Sequence, residues 1–200
     1  MEGQPMTQCS TLVIFGPSGS GKSTVVKYLL KRFPGQLELS VSYTTRLPRG
    51  TEVSGREYHF INRSEFEKKI RNNEFIEYAE YANNYYGTGV ECLGESSRKS
   101  ILILEIEKEG VENMARLGLS AKYLFVYASL PVLRERICSR APIKEAELDI
   151  RLKTAVKEIE FGKTKLFDCA IENSSISTTQ VLVDAFMAKE FGLCPEPSPP

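Results

Sequence analysis

The sequence has no surplus of either charge: 26 Lys and Arg stand against 26 Asp and Glu, for a formal net charge of zero. That removes any default attraction to nucleic acid or an anionic membrane, so an anion site has to come from a local cluster. Histidine is nearly missing, with one in 200 residues. The five cysteines, Cys9, Cys92, Cys138, Cys169 and Cys194, are scattered and form no CxxC pair. This pattern excludes the usual zinc-ligand spacings and reads as reduced thiols in a cytoplasmic protein rather than a disulfide framework. No apolar run approaches the roughly 20 residues that span a bilayer. The opening MEGQPMTQCS has neither the basic n-region nor the apolar h-region of a secretory signal, so none is expected. Internal repeats are absent. A globular chain with one sizeable core remains, long enough to carry an inserted subdomain.

What is present is alternation. Residues 11–15 read as a strand, followed by a Gly-rich turn and a helix that Pro34-Gly35 stops near Phe33. Residues 37–42 predict a second strand. The stretch 43–57 has no periodicity but holds three arginines, the mark of an ordered functional loop. A short strand is predicted over 58–61, and Ser64-Glu65-Phe66-Glu67 reads as a capping box opening a helix through Arg71. A strand over 75–81 is followed by NNYYGTG, read as a turn. Strands at 101–106, 122–128 and 169–172 then alternate with helices to about 117, over 133–140, over 143–166 and over 176–191. In the third of these, Leu148, Leu152, Val156 and Ile159 keep helical spacing. The tail CPEPSPP is expected to be disordered. The whole reads as an α/β fold with a parallel sheet, interrupted by an insertion rich in short strands and tyrosines.

Residues 16–23, GPSGSGKS, match G-x-x-x-x-G-K-[ST] between an apolar strand and a helix, the context that gives the motif meaning. Glycines there let successive backbone N–H groups curl around phosphate oxygens, and the helix N-terminus adds partial positive charge. Lys22 is expected to reach the β- and γ-phosphates, and the Ser23 hydroxyl to ligate Mg²⁺. A chance match in a chain this long is on the order of one in a hundred at average residue usage. A nucleoside triphosphate site is therefore expected over Gly16, Pro17, Ser18, Gly19, Ser20, Gly21, Lys22, Ser23 and Thr24.

A second anion site is suggested by SYTTRLPR, where Arg46 and Arg49 flank a proline. Two guanidinium forks suit a monophosphate, although solvated surface arginines read equally well. Tyr58 and Tyr86 offer further hydroxyl donors. Glu77, on FIEYAEY, is an acceptor-only carboxylate that could pair with the N–H groups of a base, or could simply face solvent. Glu105 and Glu107 close the apolar run ILIL two residues apart, so strand geometry points both to one side. They are either a solvated edge or a face toward something that needs negative charge.

The segments GPSGSGKST, SVSYTTRLPRGTEVSGREYHF, FEKKIRNNEFIEYAEYANNYYGTGV and ILILEIEKEGV together resemble guanylate kinases in order and spacing, from about residue 11 to residue 190. That resemblance implies a P-loop nucleoside monophosphate kinase fold in three parts. Residues 11–41 and 96–193 would form the P-loop core, 42–95 the GMP-binding insertion and 134–152 a helical lid, between an extension at 1–10 and the tail at 194–200. It implies ATP:GMP phosphotransfer with Mg²⁺ and ATP as co-substrate. Ser42 and Glu77, with Thr88, would read guanine, while Arg46, Arg49, Tyr58 and Tyr86 would hold the GMP phosphate. Arg136 and Asn173 would lie near the ATP base, and Arg140 and Arg151 at the phosphates, so that Lys22, Arg46, Arg140 and Arg151 carry catalysis. Glu105 and Glu107 stand where the family usually has Asp-x-Asp, and Glu109 where Gln is frequent; both Glu105 and Glu107 would contact GMP, and Glu105 would also help position Mg²⁺ through water. The lid stretch at 141–142 is less Gly/Thr-like than the family's. The expected partners are ATP and GMP, with no nucleic acid and no membrane, for a monomer in the cytoplasm. Two other readings remain: a catalytically weak or inactive guanylate-kinase-like protein-interaction module, and a different small-molecule P-loop kinase. The first would not require Lys22 and Ser23, and the second would not require the Ser42/Glu77 pair.

Overall fold

The run TLVIF is buried at every position, as a strand covered by helices on both faces must be. In the computed structural model, which describes residues 10–81, 83–93, 100–140, 143–162 and 167–194, this run is β1 (Thr11–Phe15). The elements after it are α1 (Lys22–Arg32), β2 (Leu37–Leu39), β3 (Tyr43–Thr44), β4 (His59–Phe60), α2 (Arg63–Arg71), β5 (Phe75–Tyr81) and β6 (Asn84–Gly89). Then come β7 (Ile101–Glu105), α3 (Lys108–Arg116), β8 (Lys122–Tyr127), α4 (Leu130–Arg140), α5 (Glu145–Phe161), β9 (Cys169–Glu172) and α6 (Ile176–Phe191). The core sheet runs in the order β2-β7-β1-β8-β9, parallel throughout. Leu12, Ile14, Leu124 and Val126 pack on one face against α1 and α6 residues such as Leu29 and Met187. Val13, Phe15, Leu104 and Phe125 pack on the other with Val111 and Met114 of α3. None of the described helices is long and apolar enough to cross a membrane.

A second sheet, β4-β3-β6-β5, is built from the chain between β2 and β7. Its centre is Phe66 of α2, fully buried and stacked between Phe75 at 4.4 Å and Tyr85 at 5.1 Å. Burying a ring of this kind is worth about 2–3 kcal/mol. The register of β5 on β6 shifts between Phe75 and Glu77, which inserts Ile76 as an extra residue. Ile76 goes into the core cluster, and Asn113 of α3 donates to its carbonyl at 2.6 Å, tying the two sheets together. Glu77 is thereby set opposite Thr88. Bulges of this kind commonly re-aim a side chain beside a site.

Three local expectations are corrected. NNYYGTG is not a turn: residues 84–89 form β6, which bonds β5 on one side and β3 on the other. Asn83, just before it, is in the left-handed region at φ 62°, where asparagine is tolerated. The capping box sits two residues earlier than expected. Asn62 accepts from Glu65 N–H and Glu65 returns a bond to Asn62 N–H, both at 2.9 Å, while Glu67 is taken by Arg63 at 3.1 Å. The second strand ends at Leu39, three residues short, where the chain leaves the sheet edge for the insertion. The extension before Ser10, the lid stretch at 141–142, the tail beyond Cys194, the last residues expected in α5 (163–166) and the Arg140 side chain lie outside the described residues.

Candidate active site

The loop after β1 is pressed against the sheet. A Cβ on Gly16 would stand 2.0 Å from the Val126 carbonyl oxygen, and the residue's φ of 140° suits glycine alone. Helix α1 begins at Lys22 with Gly21 as its N-cap, and no side chain caps it. Its first N–H groups therefore lie open toward the loop interior, an arrangement that binds anions. Lys22 is 8 % exposed; its Nζ donates to the carbonyls of Gly16 at 2.5 Å and Pro17 at 3.4 Å and faces Glu107 at 3.5 Å. Ser23 Oγ donates to Glu105 Oε1 at 2.8 Å. These pieces surround a cavity of about 160 Å³ lined by the loop, Glu105 and Glu107.

A second cavity, of about 500 Å³, is lined by Ser42, Tyr58, Glu77, Tyr86, Thr88, Glu105 and Glu107. The two acids after β7 thus form a wall common to both cavities. Strand β7 itself stops at Glu105, and Glu107 is the extended residue that opens α3. Ser42 and Thr88 place their hydroxyls 3.4 Å apart. The Glu107 N–H donates to Glu77 at 2.8 Å, yet burial first, and the Glu107 and Glu109 charges after it, push the Glu77 carboxyl up to about 8. Burial also raises the Tyr58 hydroxyl, so it remains a donor at neutral pH. Arg46 stacks over Tyr58 at 5.4 Å and Phe60 at 5.6 Å. It meets Glu52 through two bonds of 2.8 and 3.0 Å and donates to the Leu47 carbonyl at 2.8 Å. Those bonds use three of its five donors and leave the others on the side of Tyr86.

The remaining residues expected in the site make contacts of their own. The Arg49 side chain is exposed, and its backbone N–H donates to Glu52 at 2.8 Å. Arg151 bonds Glu147 one turn back on α5 at 2.7 Å. Arg136 and Asn173 both donate to the Ser20 carbonyl, at 3.3 and 2.8 Å. Thr24 is exposed on α1. Two acids carry no signal in sequence. Glu52 looks like any loop carboxylate until it meets Arg46. Glu158 looks like any helical one, but burial first, and the Glu107 charge after it, push its carboxyl up.

Chemically, a cradle of backbone N–H groups with one buried ammonium abuts a pocket with phenol hydroxyls and an inward carboxylate, and Arg46 stacks on one of those phenols. The arrangement can hold a polyphosphate against a second phosphate-bearing molecule. The family model described as guanylate kinase matches residues 8–190. A guanylate kinase of Rubrobacter xylanophilus is 43% identical over 164 residues, covering 81% of this chain and 84% of its own. One of Sus scrofa is 38% identical over 168 residues, covering 82% and 85%. The crystal structure of guanylate kinase from Anaplasma phagocytophilum is similar with a TM-score of 0.63, at 26% identity over 93% of this chain and 88% of that one. Both sheets and both cavities fall inside the matched span, and the chain belongs to the guanylate kinase family.

Proposed function

We propose that this chain transfers the γ-phosphoryl group of Mg·ATP to GMP or dGMP, giving ADP and GDP or dGDP. The observation that carries this reading is the junction of the two cavities at Glu105 and Glu107, with Lys22 and Ser23 in place on one side and Ser42, Glu77 and Thr88 on the other. The loop N–H groups hold the donor's phosphates, and Lys22 exchanges Glu107 for phosphate oxygens. Arg46, Tyr58 and Tyr86, joined by Arg49, hold the acceptor phosphate. Glu77 accepts from the two N–H groups on the guanine edge, and Ser42 and Thr88 complete the reading of the base. A phosphate oxygen ionised at neutral pH attacks in line, so no general base is needed. Arg140 and Arg151, carried by α4 and α5, offset the charge that develops on the moving group. Arg136 and Asn173 serve the ATP side. The Ser23 hydroxyl and the Glu105 carboxylate are adjacent hard-oxygen donors, the kind that suits Mg²⁺ directly and through water. When bound, Mg²⁺ neutralises phosphate charge. In the same reading the enzyme is a cytoplasmic monomer acting on free nucleotides, not on nucleic acid or membranes.

An ADP-release assay with Mg·ATP and a panel of nucleoside monophosphates tests this. Turnover of GMP and dGMP but not of AMP or UMP is expected, and equal rates across the panel would defeat the guanine assignment. The longer acids have contacts of their own here: Ser23 meets Glu105, and Lys22 meets Glu107. Shortening both retracts each carboxylate by roughly 1.5 Å. A Glu105→Asp, Glu107→Asp double variant should therefore lose on the order of tenfold or more in kcat. A gain in kcat would show that the glutamates impede catalysis.

A further inference from the structure

At the carboxyl end of β9, outside both cavities, Asn173 is 5 % exposed and every polar group on it is engaged. Its backbone N–H donates to the Tyr127 carbonyl at 2.7 Å, and its own carbonyl accepts from Arg136 Nη2 at 2.9 Å. Its side-chain Nδ2 donates to the Ser20 carbonyl at 2.8 Å, where Arg136 Nη1 also arrives at 3.3 Å. Its Oδ1 accepts from the hydroxyl of Thr179 at 2.9 Å. Thr179, in the first turn of α6, is 4 % exposed and lines neither cavity.

The direction of these bonds matters. In a trans peptide the C=O and the following N–H point opposite ways. Holding the Ser20 oxygen outward turns the Gly21 N–H inward, toward the place where the loop takes phosphate. Gly21 has φ 96° and no side chain to brace it, and Asn173 fills the space a Cβ would need, 2.2 Å from Nδ2. An amide can exchange the places of its oxygen and nitrogen by a half-turn. A hydroxyl on Oδ1 and a carbonyl on Nδ2 together hold one orientation. Remove the hydroxyl and Oδ1 becomes a buried acceptor without a partner, which the side chain relieves by moving off the loop.

We infer that Thr179 is a positioning residue for the phosphate loop. It fixes the Asn173 amide, and that amide, with Arg136, keeps the Gly21 N–H aimed at the nucleotide's phosphates. The inference rests on the reading that a triphosphate binds this loop. It also assigns the Asn173 side chain to the phosphates through the loop backbone rather than to the base.

Thr179→Val keeps the shape and removes the hydroxyl. The expected result is a rise of roughly threefold to tenfold in KM for ATP, the worth of about one hydrogen bond. KM for GMP should stay within about twofold of the parent value. Calorimetric titration with inorganic tripolyphosphate, which has no base, should show weakening by the same factor. Thr179→Ser should restore the parent values, and Thr179→Ala should reproduce the valine defect without its second methyl group. An unchanged KM for ATP in both hydroxyl-free variants overturns the inference, as does an equal rise in KM for ATP and GMP. Weaker ATP binding with unchanged tripolyphosphate binding overturns it too, because the defect would then lie at the base. A parent chain that binds tripolyphosphate but turns over no GMP would instead refute the proposed function, and the binding comparison would still decide the role of Thr179.

Discussion

Replacing Lys22 with methionine should reduce phosphoryl transfer by about 10³-fold or more while leaving GMP affinity within about twofold of the parent. The side chain is 8 % exposed and its ammonium is shared between two loop carbonyls and Glu107. Methionine fills much the same volume, so the loop should keep its path. The positive charge that would follow the transferring group is lost, and the acids on the common wall lose their nearest counter-charge. Lys22 lines the smaller cavity and not the larger one, so binding of GMP should be spared. Single-turnover rates with saturating nucleotides and calorimetric titration of GMP separate the two effects. Loss of GMP affinity would mean that the cavities do not work as two sites.

The features legible in sequence are those whose causes are local. A parallel strand buried on both faces has to be apolar throughout, so TLVIF, ILIL and the middle of KYLFVY identify the central strands unaided. The phosphate loop is legible for a related reason: strand, glycines and helix start within a dozen residues, and the backbone does the binding. Strand β6 is hidden because its asparagine and glycines are turn residues by composition, and only pairing with residues more than forty positions away, such as Tyr43 with Gly87, makes it a strand. The helix cap falls on Asn62 rather than on the expected Ser64, and Glu67, which would have closed the expected box, bonds Arg63 instead. Alternation along FIEYAEY separates two faces but does not say which one meets the cleft; the extra residue at Ile76 decides that. The contacts of Arg136 and Asn173 with Ser20 join positions 116 and 153 residues apart, and no periodicity encodes them.

Glu77→Gln should weaken GMP binding by about 10- to 100-fold and, in the same variant, make the free protein more stable. A carboxylate accepts two N–H bonds from the guanine edge, whereas a glutamine amide presents one acceptor and one donor and sets a donor against a donor. Sites built around buried hydrogen bonds discriminate strongly for this reason. Stability moves the other way because the folded chain holds the Glu77 carboxyl at about 8, above its ordinary 4.5. Between those values the folded state keeps a proton that the unfolded state has released, so stability falls as pH rises through that window and levels above it. Removing the ionisable group should raise the unfolding free energy on the order of 4 kcal/mol at pH 8, and the gain should vanish below pH 4. GMP binding needs the ionised form, so parent affinity should climb with pH up to about 8, each GMP bound releasing up to one proton, while the glutamine variant stays flat. Calorimetry in buffers of different ionisation enthalpy counts that proton, and denaturant unfolding at pH 4 and pH 8 measures the stability gain. Parent affinity independent of pH between 6 and 9 would show that Glu77 is already ionised in the free enzyme, and a variant less stable at pH 8 would show that the carboxyl supports the fold rather than straining it.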